Sequence, residues 1–154
     1  SGTGNMKLMM NGAITIGTLD GANVEMHDHL GDENMFLFGL RADQVEELRS
    51  HYNPQAYCDG DPAIRAIIER FNRGFSDGKS YTDLTGGLLY GGDPYMLLAD
   101  FADYRRAHEE LYTLLRDPMA AARLSLVNIA ESGVFAADRA IQEYADNIWH
   151  MKGE

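Results

Sequence analysis

Over the first 40 residues apolar positions come in short bursts between glycines; from residue 41 they recur at helical spacing. In GNMKLMMNG, Met6, Met9 and Met10 stand at i, i+3 and i+4, which predicts a short amphipathic helix, with Gly12 as its left-handed cap. AITIGT is β-branched and short, a strand over 13–18. LDGANVEMHDH opens a helix with Asp20 as N-cap. MFLFGL, 35–40, is an unbroken apolar run of strand length, the kind buried on both faces of a parallel sheet. Strand, helix, strand is a βαβ unit with a right-handed crossover.

The remainder reads as helices. ADQVEEL is one short helix. In GDPAIRAIIERFNRGF, Asp61 caps, Pro62 takes the first helical position, and Ile64, Ile67, Ile68 and Phe71 form a stripe that Gly74 ends. Residues 76–94 are glycine-rich and weakly periodic, mainly loop with room for a short helix. Phe101, Tyr104, His108, Leu111 and Leu115 mark one face of a long helix. Asp117-Pro118 opens another that stops at Gly133, and a last helix over 138–149 presents Ile141, Tyr144, Ala145 and Ile148. The fold class is α/β, with a βαβ unit of two parallel strands over 1–40 and a helical region, 41–154, packing on it. Two strands are too few for an independent sheet. Together with a motif-rich start that lacks an initiator Met, this leads us to expect a piece of a longer protein.

Composition narrows the function. Hydrophobic content of 45% and charged content of 24% are ordinary for a globular chain. With 24 Asp and Glu against 13 Lys and Arg, the net charge is −11, which repels nucleic-acid phosphates and anionic lipid. We expect neither nucleic acid nor membrane as a partner: no apolar run approaches the roughly 20 residues of a membrane span. A single cysteine, Cys58, excludes an internal disulfide and a thiolate metal site. His27 and His29 are the one close histidine pair and read as a solvated loop, so no metal is expected. The adjacent acids Glu46-Glu47 and Glu109-Glu110 point to different helix sides and suit solvated faces, not a glycosidase pair. A cytoplasmic location is the default expectation.

The chemistry concentrates in SGTGNMK. With Thr3 as N-cap, the amides of Gly4, Asn5 and Met6 face outward at the positive end of a helix, and Lys7 leans back over them. On spacing alone three readings stay open. One is a solvated lysine in a glycine-rich helix start. A second is a nucleotide phosphate loop, which fits poorly because Leu8 follows Lys7 where Ser or Thr is wanted and no strand precedes the glycines. A third is a lysine bearing a carbonyl cofactor with a phosphate handle, namely pyridoxal phosphate.

The stretch SGTGNMKLMMNGAITIGTLDGANVEM resembles the pyridoxal phosphate segment of the α-glucan phosphorylases (glycogen, starch and maltodextrin phosphorylases). The resemblance continues through ENMFLFG, LLADFADY and VNIAESGVFAADRAIQEYADNIW, and is loose only over about 50–90. It implies that the chain is the C-terminal part of a much longer enzyme with two Rossmann-like lobes. Residues 1–40 would end the cofactor-binding lobe of that glycosyltransferase-type fold. It further implies that Lys7 forms the Schiff base with pyridoxal 5′-phosphate, that Thr3 and Gly4 contact the cofactor phosphate, and that Ser1 and Gly2 touch the glucosyl unit. The implied reaction is phosphorolysis: phosphate cleaves terminal α-1,4 glucosyl bonds of a glucan to give glucose 1-phosphate, in a parent expected to be a homodimer. LDGANVE, Tyr144 and Trp149 then count as scaffold and packing. The chain by itself is expected to be inactive and to self-associate through exposed apolar surface. Two other classes stay in view. One is a cofactor-free sugar-nucleotide glycosyltransferase lobe; the other is a non-catalytic helical interaction module over 41–154.

Overall fold

The computed structural model describes residues 3–151. The chain forms two compact units, one of Ser1–Leu37 with Glu110–Glu154 and one of Phe38–Glu109. The first begins with helix α1 (Gly4–Met10), strand β1 (Ile16–Gly17), helix α2 (Ala22–Leu30) and strand β2 (Phe36–Leu37). The strands are parallel, Ile16 opposite Phe36 and Gly17 opposite Leu37, so the expected strand–helix–strand order is present. Both strands are shorter than the 13–18 and 35–40 runs, and β2 is half-buried rather than covered on both faces. A two-stranded pair gives each strand one neighbour, and the ladder ends where that neighbour does.

Four helices form the second unit: α3 (Ala42–Arg49), α4 (Pro54–Gly60), α5 (Pro62–Arg73) and α6 (Thr82–Leu89). Helix α7 (Leu97–Leu115) adds its residues up to Glu109 to that unit and the rest to the first. The first unit closes with α8 (Pro118–Glu131), a 3₁₀ turn (Ser132–Phe135), α9 (Ala137–Glu143) and a π-type turn (Tyr144–Ile148).

Three helices start by one local device. Asn53, Asp61 and Asp117 cap α4, α5 and α8, each followed by proline at the first helical position. Their side-chain oxygens accept from the amides of Gln55 at 3.1 Å, Ala63 at 2.7 Å and Met119 at 2.9 Å. Helix α2 departs from expectation. Its N-cap is Gly21 with φ +49, not Asp20, whose carboxylate accepts instead from the Thr18 hydroxyl at 3.0 Å. The bend into α2 needs a left-handed residue, which glycine takes at least cost, and that moves the cap one place along.

The first unit's core is Met9, Met26, Leu30 and Met35, with Met6, Leu37, Val127 and Phe135 packed on it. Asn128, fully buried on α8, donates its amide to Asn34 O at 3.1 Å and Leu124 O at 3.0 Å, tying α8 to the turn before β2. The second unit's core is Cys58, Ile64, Ile68 and Leu98. On α7 the buried residues are Leu98 and Ala107, whereas Tyr104, His108 and Leu115 of the expected stripe are exposed. Ile141, Tyr144, Ile148 and Trp149 are likewise about half exposed; Tyr144 and Trp149 pack on each other, ring centres 5.9 Å apart.

Candidate functional site

Helix α1 carries the lysine. Thr3 is its N-cap, with φ −114 and ψ 12, and makes no side-chain capping bond. Gly4 opens the helix, and a Cβ placed there would meet nothing within 4 Å. The sequence led us to expect three outward amides, but the Met6 amide is taken by Asn5 Oδ1 at 3.0 Å. The Gly4 and Asn5 amides remain in the helix's first turn, where no intrahelical acceptor exists.

Lys7 is exposed and lines a cleft of about 370 Å³ together with Thr3, Met6, Met10, Ser132, Gly133, Phe135 and Ala136. Thr3 and Lys7, which the helix-start reading placed one turn apart on the same side, line this one cleft. Ser1 and Gly2, expected to touch a glucosyl unit, lie outside the described residues. Ser132, Gly133 and Phe135 of this lining belong to the 3₁₀ turn after α8, and a Cβ on Gly133 would meet nothing within 4 Å. Among the described residues Lys7 is the one charged member of this lining.

The cleft fits a flat heteroaromatic ring bearing an aldehyde and a phosphate in three respects. Met6, Met10 and Phe135 supply apolar surface for a ring, Lys7 supplies an amine on a flexible stem, and the start of α1 supplies amide donors. A phosphate dianion needs more positive charge than one lysine engaged as a tether can give, so these residues account for one side of such a site.

Helix α1 is fastened at both ends. At its C-terminal end Gly12, with φ +80, follows the cap Asn11, and the Ser125 hydroxyl donates to Gly12 O at 2.6 Å. At its N-terminal end Asn5 Nδ2 donates to Asn23 Oδ1 at 2.7 Å, and Asn23 Nδ2 donates to Thr18 O at 2.8 Å. A Cβ on Gly17 would lie 2.6 Å from Asn23 Nδ2, so the amide rests against bare backbone. Sequence reasoning missed this arrangement: asparagines 18 residues apart carry no periodic signal, and Gly17 inside a strand was the available hint of close approach.

Other sequence candidates are engaged elsewhere. His27 Nε2 lies 2.7 Å from Asp32 Oδ1 and His29 meets Phe135 edge-on. Among the described residues no three His, Cys, Asp or Glu side chains are grouped to hold a metal. Glu46, Glu47, Glu109 and Glu110 are solvent-exposed. No described helix is long and apolar enough to cross a membrane.

A family model for carbohydrate phosphorylases matches residues 1–151, and the chain belongs to that family. It is 47% identical to a glycogen phosphorylase of Chlamydia pneumoniae, over 98% of this chain and 19% of that protein. Against the glycogen phosphorylase of Chlamydia trachomatis the identity is 42%, with the same coverage. Against the muscle form from Homo sapiens it is 44%, over 99% of this chain and 18% of the relative. The chain therefore spans about a fifth of the length of these relatives.

Proposed function

We propose that the chain is the C-terminal part of an α-1,4-glucan phosphorylase, with Lys7 as the covalent tether of pyridoxal phosphate. The supporting observation is that the lysine of the family-matched segment lines a cleft together with Thr3, Met6, Met10 and Phe135. In this reading residues 1–40 end the Rossmann-like, cofactor-binding lobe of a glycosyltransferase-type enzyme, and 41–154 form its helical C-terminal region.

The reaction moves the terminal glucosyl unit from the glucan O4 to an oxygen of inorganic phosphate, giving glucose 1-phosphate and a shortened glucan that takes up a proton at O4. When bound, the cofactor supplies a phosphate monoester whose second pKa, near 6, suits proton exchange at working pH. The chain's own residues hold and orient. Lys7 fixes the ring end, the amides at Thr3 and Gly4 align the phosphate, and the apolar wall excludes water from the ring. Ser1 and Gly2 contact the glucosyl unit, and the remaining positive charge comes from the rest of a homodimeric, cytoplasmic parent.

Borohydride reduction of the full-length protein followed by peptide mapping should find the pyridoxyl group on Lys7. Lys7→Ala should lose the cofactor and lower phosphorolysis by roughly a hundredfold or more, as expected when a reacting group loses its fixed position. A Lys7→Ala enzyme that keeps both cofactor and activity would refute the reading. The 154-residue chain alone should take up label weakly and without preference for Lys7.

A further inference from the structure

We propose that Asn23 is a positioning residue for Lys7: through Asn5 it fixes the start of α1, and hence the point from which the lysine stem sets out. The inference rests on Lys7 being the cofactor tether.

The relay Thr18–Asn23–Asn5–Met6 has one allowed polarity. Thr18 O can only accept, so Asn23 must turn Nδ2 toward it, at 2.8 Å, which leaves Oδ1 facing Asn5. Independently, the Met6 amide can only donate, so Asn5 must turn Oδ1 toward it, at 3.0 Å, which leaves Nδ2 facing Asn23. The two ends demand the same arrangement of both side-chain amides, and it is the one that gives the 2.7 Å bond between them. Gly17 makes this close fit feasible, because any side chain there would occupy the place of the Asn23 amide.

A helix of seven residues cannot hold itself in water, so its attachments decide where it sits. Met9 is buried in its last turn and Ser125 holds the Gly12 carbonyl just beyond its end. Among the described residues, the Asn5–Asn23 bond is the side-chain hydrogen bond that joins its first turn to another element. Lys7 lies two residues beyond Asn5, so slack there passes directly to the lysine Cα. Displacements of about 1 Å at a well-built site cost on the order of a hundredfold in function.

The test uses the full-length protein loaded with pyridoxal phosphate, and begins by confirming the lysine-linked absorbance band and its loss in Lys7→Ala. Absence of the band from the unmodified protein overturns the tether and this inference with it. With the band present, Asn23→Ala and Asn5→Ala should each release cofactor roughly tenfold faster, the scale of one lost hydrogen bond. The double variant should release it no faster than either single one, since both break the same relay. Asn23→Asp should match Asn23→Ala, because a carboxylate oxygen would then face the Thr18 carbonyl; a space-filling role would leave Asn23→Asp close to the parent. Thermal midpoints of the cofactor-free proteins separate general destabilisation from loosened tethering, and Asn5→Ala carries the test if Asn23→Ala does not fold. Release at the parent rate in the single variants, additive effects in the double, or a cofactor-retaining Asn23→Asp would each overturn the proposal.

Discussion

Asp93 shows what one buried carboxylate demands of its neighbours. It is 1% exposed, sits at φ +43, and directs Oδ2 to two donors, the Tyr52 hydroxyl at 2.7 Å and the Leu98 amide at 2.9 Å. Its Oδ1 is buried with no partner among the described residues, so the site already holds one unsatisfied oxygen. Tyr52→Phe removes a donor from a charged acceptor and should cost about 1–3 kcal/mol, read as a lower urea midpoint. Burial, and then the bond to Asp93, push the Tyr52 phenol well above its ordinary range. A raised pKa favours the neutral phenol in the folded state. The contribution is therefore full below about pH 10 and is lost as pH rises through the higher folded value. Tyr52→Phe should accordingly flatten the alkaline limb of the stability profile.

Element boundaries follow from short-range chemistry where a cap and a stripe coincide. Helix α5 was legible because Asp61-Pro62 and the Ile64–Ile68–Phe71 spacing agree. Helix α4 was not, although Asn53-Pro54 is the same signal, because seven residues leave no room for a stripe. On α7 the aromatic stripe held only in part: Phe101 packs on the core beside Leu98, whereas Tyr104, His108 and Leu115 are exposed and Ala107 is buried instead, chosen by neighbours that the sequence does not display. That a helix starts after Thr3 and that Lys7 shares a cleft with it was readable from helix-start chemistry. The asparagine relay was not, since it exists only once α1 is brought against the start of α2. One further interaction of this kind has a testable pH signature. Asp103 on α7 accepts from Arg106 Nε at 2.6 Å and from the Gly39 amide at 2.8 Å, and these donors hold its carboxyl below the usual range. A depressed pKa stabilises above about pH 4 and is lost as pH falls through the folded value. Asp103→Asn should therefore shallow the acid limb of the unfolding profile while leaving the alkaline limb unchanged.

At the scale of the whole chain, apolar exposure and charge oppose each other. Met119 is 80% exposed and Leu126 66%, both on α8, and the net charge is −11. We propose that the chain by itself associates through such surface, held in check by mutual repulsion. Its sedimentation coefficient should then rise with concentration, and more steeply in added salt, which screens the charge. A monomer at high concentration in both low and high salt would refute this. The lone sulfhydryl offers a different kind of leverage. Cys58 is 4% exposed beneath Ile64, Ile68 and Leu98, and its burial disfavours the reactive thiolate. Its trapping by a disulfide reagent therefore waits on breathing of the 38–109 unit alone, so this chain arrives with a chemical stopwatch for one half of itself and none for the other.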